Sequence, residues 1–214
     1  HVRSRRQRQM CIRDRFIING ANLIDGFNGL LTINLVIINL ILLYINIFNG
    51  NNEFSIFLIA QLIVLLSFLL FNFPNAKIFL GDSGSYLMGS LVAFNSIITN
   101  NLNPNYSSFF FCTLLFYLFF EVFFSFLRKV AQKKSPIHPD NKHLHMLLYK
   151  KISLIFGKDK SNHINSIVIN FVYFTLVLPA IYFAKDPMIS RYWFFSLIVI
   201  YLLIYIRLYR LTKN

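Results

Sequence analysis

Charged residues and cysteines are both scarce in this sequence of 214 residues. Charged side chains make up 14% of the residues, whereas apolar side chains make up 56%. A soluble domain has about a quarter charged residues, so the composition argues against a soluble protein. The two cysteines, Cys11 in a basic segment and Cys112 in an apolar run, indicate neither a disulfide framework nor a cysteine metal site.

Long apolar runs occupy most of the sequence. Several approach or exceed the ~18–20 apolar residues that cross a bilayer. They predict an all-α fold, a polytopic integral membrane helix bundle in contact with the lipid bilayer. We predict six full transmembrane helices, over residues 30–48, 54–72, 84–98, 107–127, 165–184 and 192–206.

The formal net charge of +13 would suggest a nucleic-acid ligand in a soluble protein, but its distribution along this chain indicates membrane topology. The connection that contains Asp82, residues 128–162 and the tail together carry thirteen Lys or Arg, whereas the alternate connections carry only Lys185 and Arg191. Positive residues concentrate on the cytoplasmic side of membrane proteins. We therefore predict that the first group of connections is cytoplasmic, and we expect no nucleic-acid partner.

The sequence divides into a short basic segment and one membrane domain. Residues 1–15 contain six arginines and change abruptly to apolar residues at Phe16. Such a segment could bind a membrane surface or RNA, but the abrupt change favours a foreign leader. We predict a membrane domain over residues 16–214, with a cytoplasmic loop at 128–162.

A polar stretch between the second and third predicted helices contains Asp82. A helix that begins there would direct its free N–H groups towards an anion such as phosphate, and the carboxylate could bind Mg²⁺. The alternative is that Asp82 or Ser83 only caps the helix. Gly81, Ser85 and Gly89 follow at four-residue spacing, which lets a neighbouring helix pack closely.

A second polar cluster precedes the first predicted span. Residues at three-residue spacing could share one face of a helical turn, and this regular repeat exceeds what a helix cap needs. A cap with a glycine-assisted turn is the alternative. The residues are Asn19, Asn22, Asp25 and Asn28.

A third cluster lies in the long loop. Its lysines suit a polyanion such as a diphosphate or lipid head groups, although a solvated basic loop is the alternative. His143 and His145 are two residues apart and would not face the same way on a helix, which argues against a helical zinc site. The cluster comprises His138, Asp140, Lys142, His143 and His145.

Glu121 is the one acidic residue within the fourth predicted span. A charge near the bilayer centre costs at least ~2.5–3.5 kcal/mol, so an intramembrane acid suggests function. A position nearer the interface would cost less. The three polar clusters share the predicted cytoplasmic side, where they would suit Mg²⁺-assisted phosphoryl transfer.

Three stretches resemble, in order and spacing, cytoplasmic motifs of the polyprenyl-phosphate N-acetylhexosamine-1-phosphate transferases, which form glycosyltransferase family 4. They are N-G-A-N-L-I-D-G-F-N-G-L, F-P-N-A-K-I-F-L-G-D-S-G-S and S-P-I-H-P-D-N-K-H-L-H. The resemblance implies transfer of a sugar-1-phosphate from a UDP-sugar to undecaprenyl phosphate, with release of UMP. It also implies a bacterial plasma membrane location with a cytoplasmic active face, and a homodimer is a further possibility.

The resemblance also implies roles for single residues. Asp82 would bind Mg²⁺, with Mn²⁺ as an alternative ion. The nucleotide and cofactor would lie near Asn19, Asn22 and Lys142. The catalytic set would be Asp25, Asp82, His143 and His145.

Two features place the chain within the family. Glu121 stands where the branch that initiates O-antigen and teichoic-acid polymers usually has an acid. The branch that makes the first lipid intermediate of peptidoglycan has a three-histidine run, whereas Met146 follows His145 here. The resemblance is therefore closer to the initiating branch, and lipid I synthesis by the same chemistry is the alternative.

Two departures suggest an incomplete enzyme. Asn28 replaces an aspartate of the family pattern, and the chain lacks the family's adjacent aspartate pair. We expect the C-terminal part of an enzyme of roughly ten or eleven helices, inactive alone because spans that should pack on the Gly81, Ser85 and Gly89 stripe are missing. A non-catalytic scaffold would have lost these acids and histidines. A transporter half would have acids or broken helices near the midplane of several spans, where Glu121 is the one candidate.

Overall fold

The computed structural model describes residues 16–133, 135 and 141–213, and the regular structure in these residues is entirely helical. The predicted leader, residues 1–15, lies outside them. In chain order the described helices are α1 (16–24), α2 (Leu30–Phe48), α3 (Asn52–Asn72), α4 (Gly81–Leu102), α5 (Ser108–Leu114), α6 (Phe116–Ala131), α7 (Leu144–Phe156), α8 (Lys158–Tyr182) and α9 (Pro187–Lys213).

The all-α membrane bundle is confirmed, with fewer spans than the six predicted. Within the described residues, α2, α3, α8 and α9 are long and apolar enough to cross a membrane. A bend of 75° separates α5 from α6, and counting this broken pair as one span gives five. The remaining predicted span corresponds to α4, which has 22 residues but carries too many polar side chains to qualify by composition.

Helix α2 forms the centre of the bundle and packs against α3, α4 and α8. Its side chains Leu30, Ile38 and Leu42 are fully buried. By contrast, α3 exposes large apolar side chains such as Ile63 and Leu70 along its length. An apolar surface of this kind is stable against lipid, which supports a multi-pass membrane protein.

The predicted polar loop 128–162 contains more regular structure than a loop. Helix α6 continues to Ala131, α7 occupies Leu144–Phe156, and α8 begins at Lys158. Helix α7 packs against α8 and α9 through buried residues that include Leu147 and Ile152. The lysines at positions 150 and 151 give this short helix the composition of a solvated segment.

Buried amides connect α2, α3 and α4 inside the bundle. Asn95 donates to Asn39 Oδ1 at 2.8 Å and exchanges two hydrogen bonds with Gln61, at 2.7 and 3.3 Å. One turn further along α4, Thr99 Oγ1 accepts a hydrogen bond from Asn46 Nδ2 at 2.9 Å. Because unpaired polar groups are costly in a bilayer, these interhelical hydrogen bonds fix the order of the three helices.

The small-residue stripe of α4 packs against α1. A Cβ atom at Gly89 would lie 2.8 Å from Ala21 Cβ and 3.2 Å from Ile18 Cα. Ser85, in the same stripe of α4, donates to Asn22 Oδ1 on α1. The expectation that absent spans should cover this stripe is wrong for Ser85 and Gly89, which α1 covers, whereas Gly81 is exposed and has nothing within 4 Å of its Cβ position.

Helix α1 also approaches α6 closely, and this contact yields a stability prediction. A Cβ atom at Gly20 would lie 2.0 Å from the carbonyl oxygen of Leu118. We expect Gly20→Ala to lower the free energy of unfolding by about 1–3 kcal/mol, because the two backbones must separate. Gly26→Ala is the matched control, since nothing lies within 4 Å of its Cβ position. Thermal unfolding in detergent measures both, and equal midpoints would contradict the prediction.

Candidate functional site

The first and second predicted motifs meet where α1 ends and α4 begins. Asp25 Oδ2 accepts a hydrogen bond from the Gly81 N–H at 3.0 Å. One turn further along α4, Ser85 Oγ donates to Asn22 Oδ1 at 2.8 Å, and Asn22 Nδ2 donates to the Tyr86 hydroxyl at 3.1 Å. Residues about sixty positions apart therefore form one polar surface, as the resemblance implied.

Asp82 occupies the first turn of α4 and is exposed. Leu80 is the N-cap residue of α4, and its side chain forms no capping hydrogen bond. Instead, the Gly81 N–H donates to Asp25, which lies in the α1–α2 connection. The structure therefore gives Asp82 no capping role, and its carboxylate lies beside the positive end of the α4 dipole.

The environment of Asp25 disfavours a negative charge on its carboxylate. Burial raises the pKa of Asp25 to about 6, the Gly81 N–H opposes that shift, and the nearby charge of Asp82 adds to it. A cation between the carboxylates would offset both causes of the increase. The donor set therefore suits a divalent cation.

Magnesium fits this donor set in a particular way. In the described part of the chain, no group of three or more His, Cys, Asp or Glu side chains is arranged to hold a metal by itself. Mg²⁺ commonly uses one or two carboxylates and completes its coordination with water and substrate phosphates. Asp82 and the neighbouring Asp25 would supply the carboxylate oxygens.

Asn19 and Asn28 differ in their positions. Asn19 is exposed on α1, one turn before Asn22. Asn28 braces the backbone: its N–H donates to Asn162 Oδ1 at 2.7 Å, and its side chain donates to the Pro74 carbonyl at 2.8 Å. The amide at position 28 thus joins the start of α8 to the connection that carries the second motif.

The next residue shows why the first motif ends in glycine. Gly29 has φ of 74°, and a Cβ atom there would lie 2.7 Å from the Phe73 ring. Its N–H donates to Asn72 Oδ1 at 2.7 Å, and Asn72 Nδ2 donates to the Ile78 carbonyl at the same distance. A side chain at position 29 would disturb the connection that leads to Asp82.

The third motif reaches the same site through two stacked histidines. His143 precedes α7 with an extended backbone, and His145 lies in the first turn. Their ring centroids are 5.5 Å apart and the rings are nearly parallel. The prediction that they would face different ways holds for two helical residues and does not apply here, because His143 lies outside the helix. His145 also packs edge to face on Phe27, with a centroid distance of 5.4 Å.

Glu121 lies beneath the two histidines and is 1% exposed. Its Oε1 accepts the Leu144 N–H at 2.7 Å and lies 3.2 Å from His145 Nδ1 and 3.6 Å from His143 Nδ1. Its Oε2 accepts a hydrogen bond from the Tyr201 hydroxyl. The acid that the sequence singled out therefore contacts the third motif.

The remaining predicted site residues lie at the edge of this arrangement or outside it. Lys142 lies against α9, where its Nζ is 5.9 Å from the centroid of the Tyr209 ring and its carbonyl accepts from the Tyr205 hydroxyl at 3.0 Å. His138 and Asp140 lie outside the described residues. Sequence reasoning missed two residues of this arrangement. Phe27 packs on His145, and the Tyr201 hydroxyl donates to Glu121.

Known proteins resemble this chain over much of its length. The family model described as glycosyl transferase family 4 matches residues 15–100. An undecaprenyl-phosphate alpha-N-acetylglucosaminyl 1-phosphate transferase of Thermotoga maritima is 32% identical over 139 residues, which cover 64% of this chain and 40% of the relative.

Two further relatives are phospho-N-acetylmuramoyl-pentapeptide-transferases. The protein of Clostridioides difficile is 33% identical over 57% of this chain and 39% of its own length. That of Bacteroides fragilis strain YCH46 is 30% identical over 77% of this chain and 44% of its own length.

The chain thus spans less than half the length of the curated relatives it matches. No solved structure is significantly similar to it. The matched segment contains the first two motifs, whose polar side chains meet in the fold. Residues 15–100 thus match glycosyl transferase family 4, and the relatives that match more of the chain are transferases by name.

Proposed function

We propose that the protein transfers N-acetylhexosamine-1-phosphate from a UDP-sugar to undecaprenyl phosphate and releases UMP. One observation carries the proposal: three motifs that are far apart in sequence bring Asp25, Asp82 and His145 to one end of the bundle. The names of the relatives in T. maritima, C. difficile and B. fragilis supply the substrate class.

In the proposed reaction, an oxygen of the lipid phosphate attacks the phosphorus that carries the sugar. The bond from that phosphorus to the bridging oxygen breaks, and UMP departs with the electron pair. The product is a sugar linked to the lipid through a diphosphate. Phosphoryl transfer of this kind depends on positioning and on stabilisation of charge, and both tasks match the residues at the site.

Each motif would perform one part of this work. Asp82, with Asp25, would hold Mg²⁺ (or Mn²⁺), which when bound neutralises diphosphate charge. Asn19 would offer its amide to the nucleotide from the exposed side of α1, and Asn22, whose side chain bonds Ser85 and Tyr86 of α4, would line the site beside it. His143 and His145 would bind the diphosphate, with Lys142 at the edge of the site contributing positive charge.

The proposed setting is the cytoplasmic face of a bacterial plasma membrane. The thirteen Lys or Arg on the predicted inner side support this orientation. Substrates and lipid would meet there to start a cell-envelope polysaccharide. Lipid I synthesis is the second candidate, favoured by the pentapeptide-transferase relatives.

UMP release decides between these functions. The full-length protein in membranes, supplied with undecaprenyl phosphate and Mg²⁺, should release UMP from UDP-N-acetylglucosamine faster than from UDP-N-acetylmuramoyl-pentapeptide. The reverse preference would support lipid I synthesis. Release from neither donor, by protein that is folded and membrane-inserted, would reject both candidates and favour a scaffold.

The two stacked histidines give a binding prediction. Replacing either His143 or His145 by glutamine should weaken UDP-N-acetylglucosamine binding about 10–100-fold, the loss expected when a hydrogen bond to a charged group of the ligand is removed. His163→Gln is the matched control, since that ring packs on Phe73, with a centroid distance of 6.3 Å. Isothermal titration calorimetry measures the affinities. Unchanged affinity in both variants would leave His143 and His145, which are 7% and 1% exposed, with a structural role only.

A further inference from the structure

The carboxylate of Glu121 accepts two hydrogen bonds and lies beside two histidine rings. Oε1 faces the Leu144 N–H and the Nδ1 atoms of His143 and His145, while Oε2 accepts from the Tyr201 hydroxyl. The Tyr201 ring is itself fixed by packing edge to face on Phe120, with a centroid distance of 4.9 Å. Helices α6, α7 and α9 therefore converge on one carboxylate.

A purely structural role would not require a charge at this position. A neutral glutamine would keep one acceptor oxygen for the Leu144 N–H, while its amide nitrogen would donate to the Tyr201 hydroxyl oxygen. A buried acid is costly within a bundle in a membrane, although it gains from the N-terminus of α7. The feature that favours a carboxylate is the pair of histidine rings, both with Nδ1 nearest the same oxygen.

We infer that Glu121, held by Tyr201, is a positioning residue that fixes the rings of His143 and His145 and directs their Nε2 atoms towards a diphosphate ligand. A carboxylate beside Nδ1 sets the proton on that nitrogen and the orientation of the ring, as it does for metal-bound histidines. The two nitrogens lie on opposite sides of an imidazole, so Nε2 faces away from Glu121. The identity of the ligand rests on the proposed function.

The two rings stack in parallel beside this carboxylate. Both have Nδ1 nearest the same oxygen, and the rings lie 8° from parallel. Phe27 closes the far side of His145 and links the pair to the motif that carries Asp25. Glu121 thus acts on the site through the histidines, without touching the substrate.

Nitrogen-15 NMR of histidine-labelled full-length protein in nanodiscs tests the inference without substrate. At a pH where the rings are neutral, His143 and His145 should carry their proton on Nδ1, whereas a neutral histidine in water favours Nε2. Glu121→Gln should shift both rings towards the Nε2 form. Signals are assigned by comparison with His143→Gln and His145→Gln.

Matched variants separate positioning from folding. Glu53→Gln makes the same chemical change at an exposed position in the first turn of α3 and should leave both rings unaltered. Should Glu121→Gln not fold, Tyr201→Phe retains the carboxylate while removing its anchor, and it should broaden or shift the same two signals. Tyr182→Phe, at a side chain 95% exposed, is its control.

Ligand binding completes the test. Glu121→Gln should weaken UDP-N-acetylglucosamine binding at least ~10-fold, the lower end of the loss seen when a histidine's carboxylate partner is removed. Unchanged tautomers together with unchanged affinity in Glu121→Gln would overturn the inference. Wild-type protein that fails to release UMP would reject the proposed function, whereas a Glu121-dependent ring tautomer in the same sample would still support anchoring by Glu121.

Discussion

Asp82→Asn is expected to reduce UMP release at least about 10²–10³-fold, the loss typical of removing a strong electrostatic stabiliser. The exposed carboxylate lies in the first turn of α4, beside Asp25. Asparagine has the same shape but lacks the charge that would bind Mg²⁺. The bundle should remain folded, because the Gly81 N–H is bound by Asp25 rather than by Asp82.

Asp159→Asn is the matched control for this variant. Asp159 is also exposed and also lies in the first turn of a helix, α8, but it belongs to none of the three motifs. Its replacement should leave turnover unchanged. Full activity of a well-folded Asp82→Asn protein would show that the charge at position 82 has no part in the reaction, and would contradict the proposed role of Asp82.

The sequence predicted helices best where polar residues separate apolar runs. The bounds predicted for the first span, 30–48, coincide with α2, because glycine precedes the run and asparagine follows it. The break between α5 and α6 could not be predicted in this way. Residues 107–127 are almost uniformly apolar, and Leu115 at the bend has no compositional mark.

The candidate site divides in the same way. Asp25, Asp82 and the histidines stand out because polar residues at fixed spacing are rare in an apolar chain. Tyr201 does not stand out in the sequence, because an aromatic residue within a span is usually lipid-facing or part of the core. Only the fold brings its hydroxyl to Glu121 across 80 positions of sequence.

The stacked histidines illustrate a second limit of sequence periodicity. A spacing of two predicts divergent side chains if both residues are helical. The helix begins at Leu144, so His143 retains extended geometry and turns back beside His145. A shift of one residue in the start of α7 therefore separates two stacked rings from two divergent side chains.

Asp25→Asn is expected to lower UMP release at least about 10²-fold without lowering stability. The amide oxygen can still accept the Gly81 N–H, which joins the α1–α2 connection to α4. What is lost is the negative charge, which burial and Asp82 already disfavour at this position. An interaction that matters only for structure would be largely preserved by asparagine, whereas one that binds a cation would not.

Stability as a function of pH tests the same substitution in metal-free buffer. The pKa of Asp25 is raised from 3.8 to about 6 in the folded protein, so the folded state binds the proton more tightly than the unfolded state. Lowering the pH through 6 towards 4 should therefore stabilise wild type relative to Asp25→Asn, whereas above about pH 6 the difference should stay constant, because Asp25 is then ionised in both the folded and the unfolded states. Thermal unfolding of both proteins with EDTA measures this difference. A wild-type protein that loses stability relative to the asparagine variant as the pH falls would contradict the assigned environment of Asp25, since its carboxylate would then be stabilised, rather than disfavoured, beside Asp82.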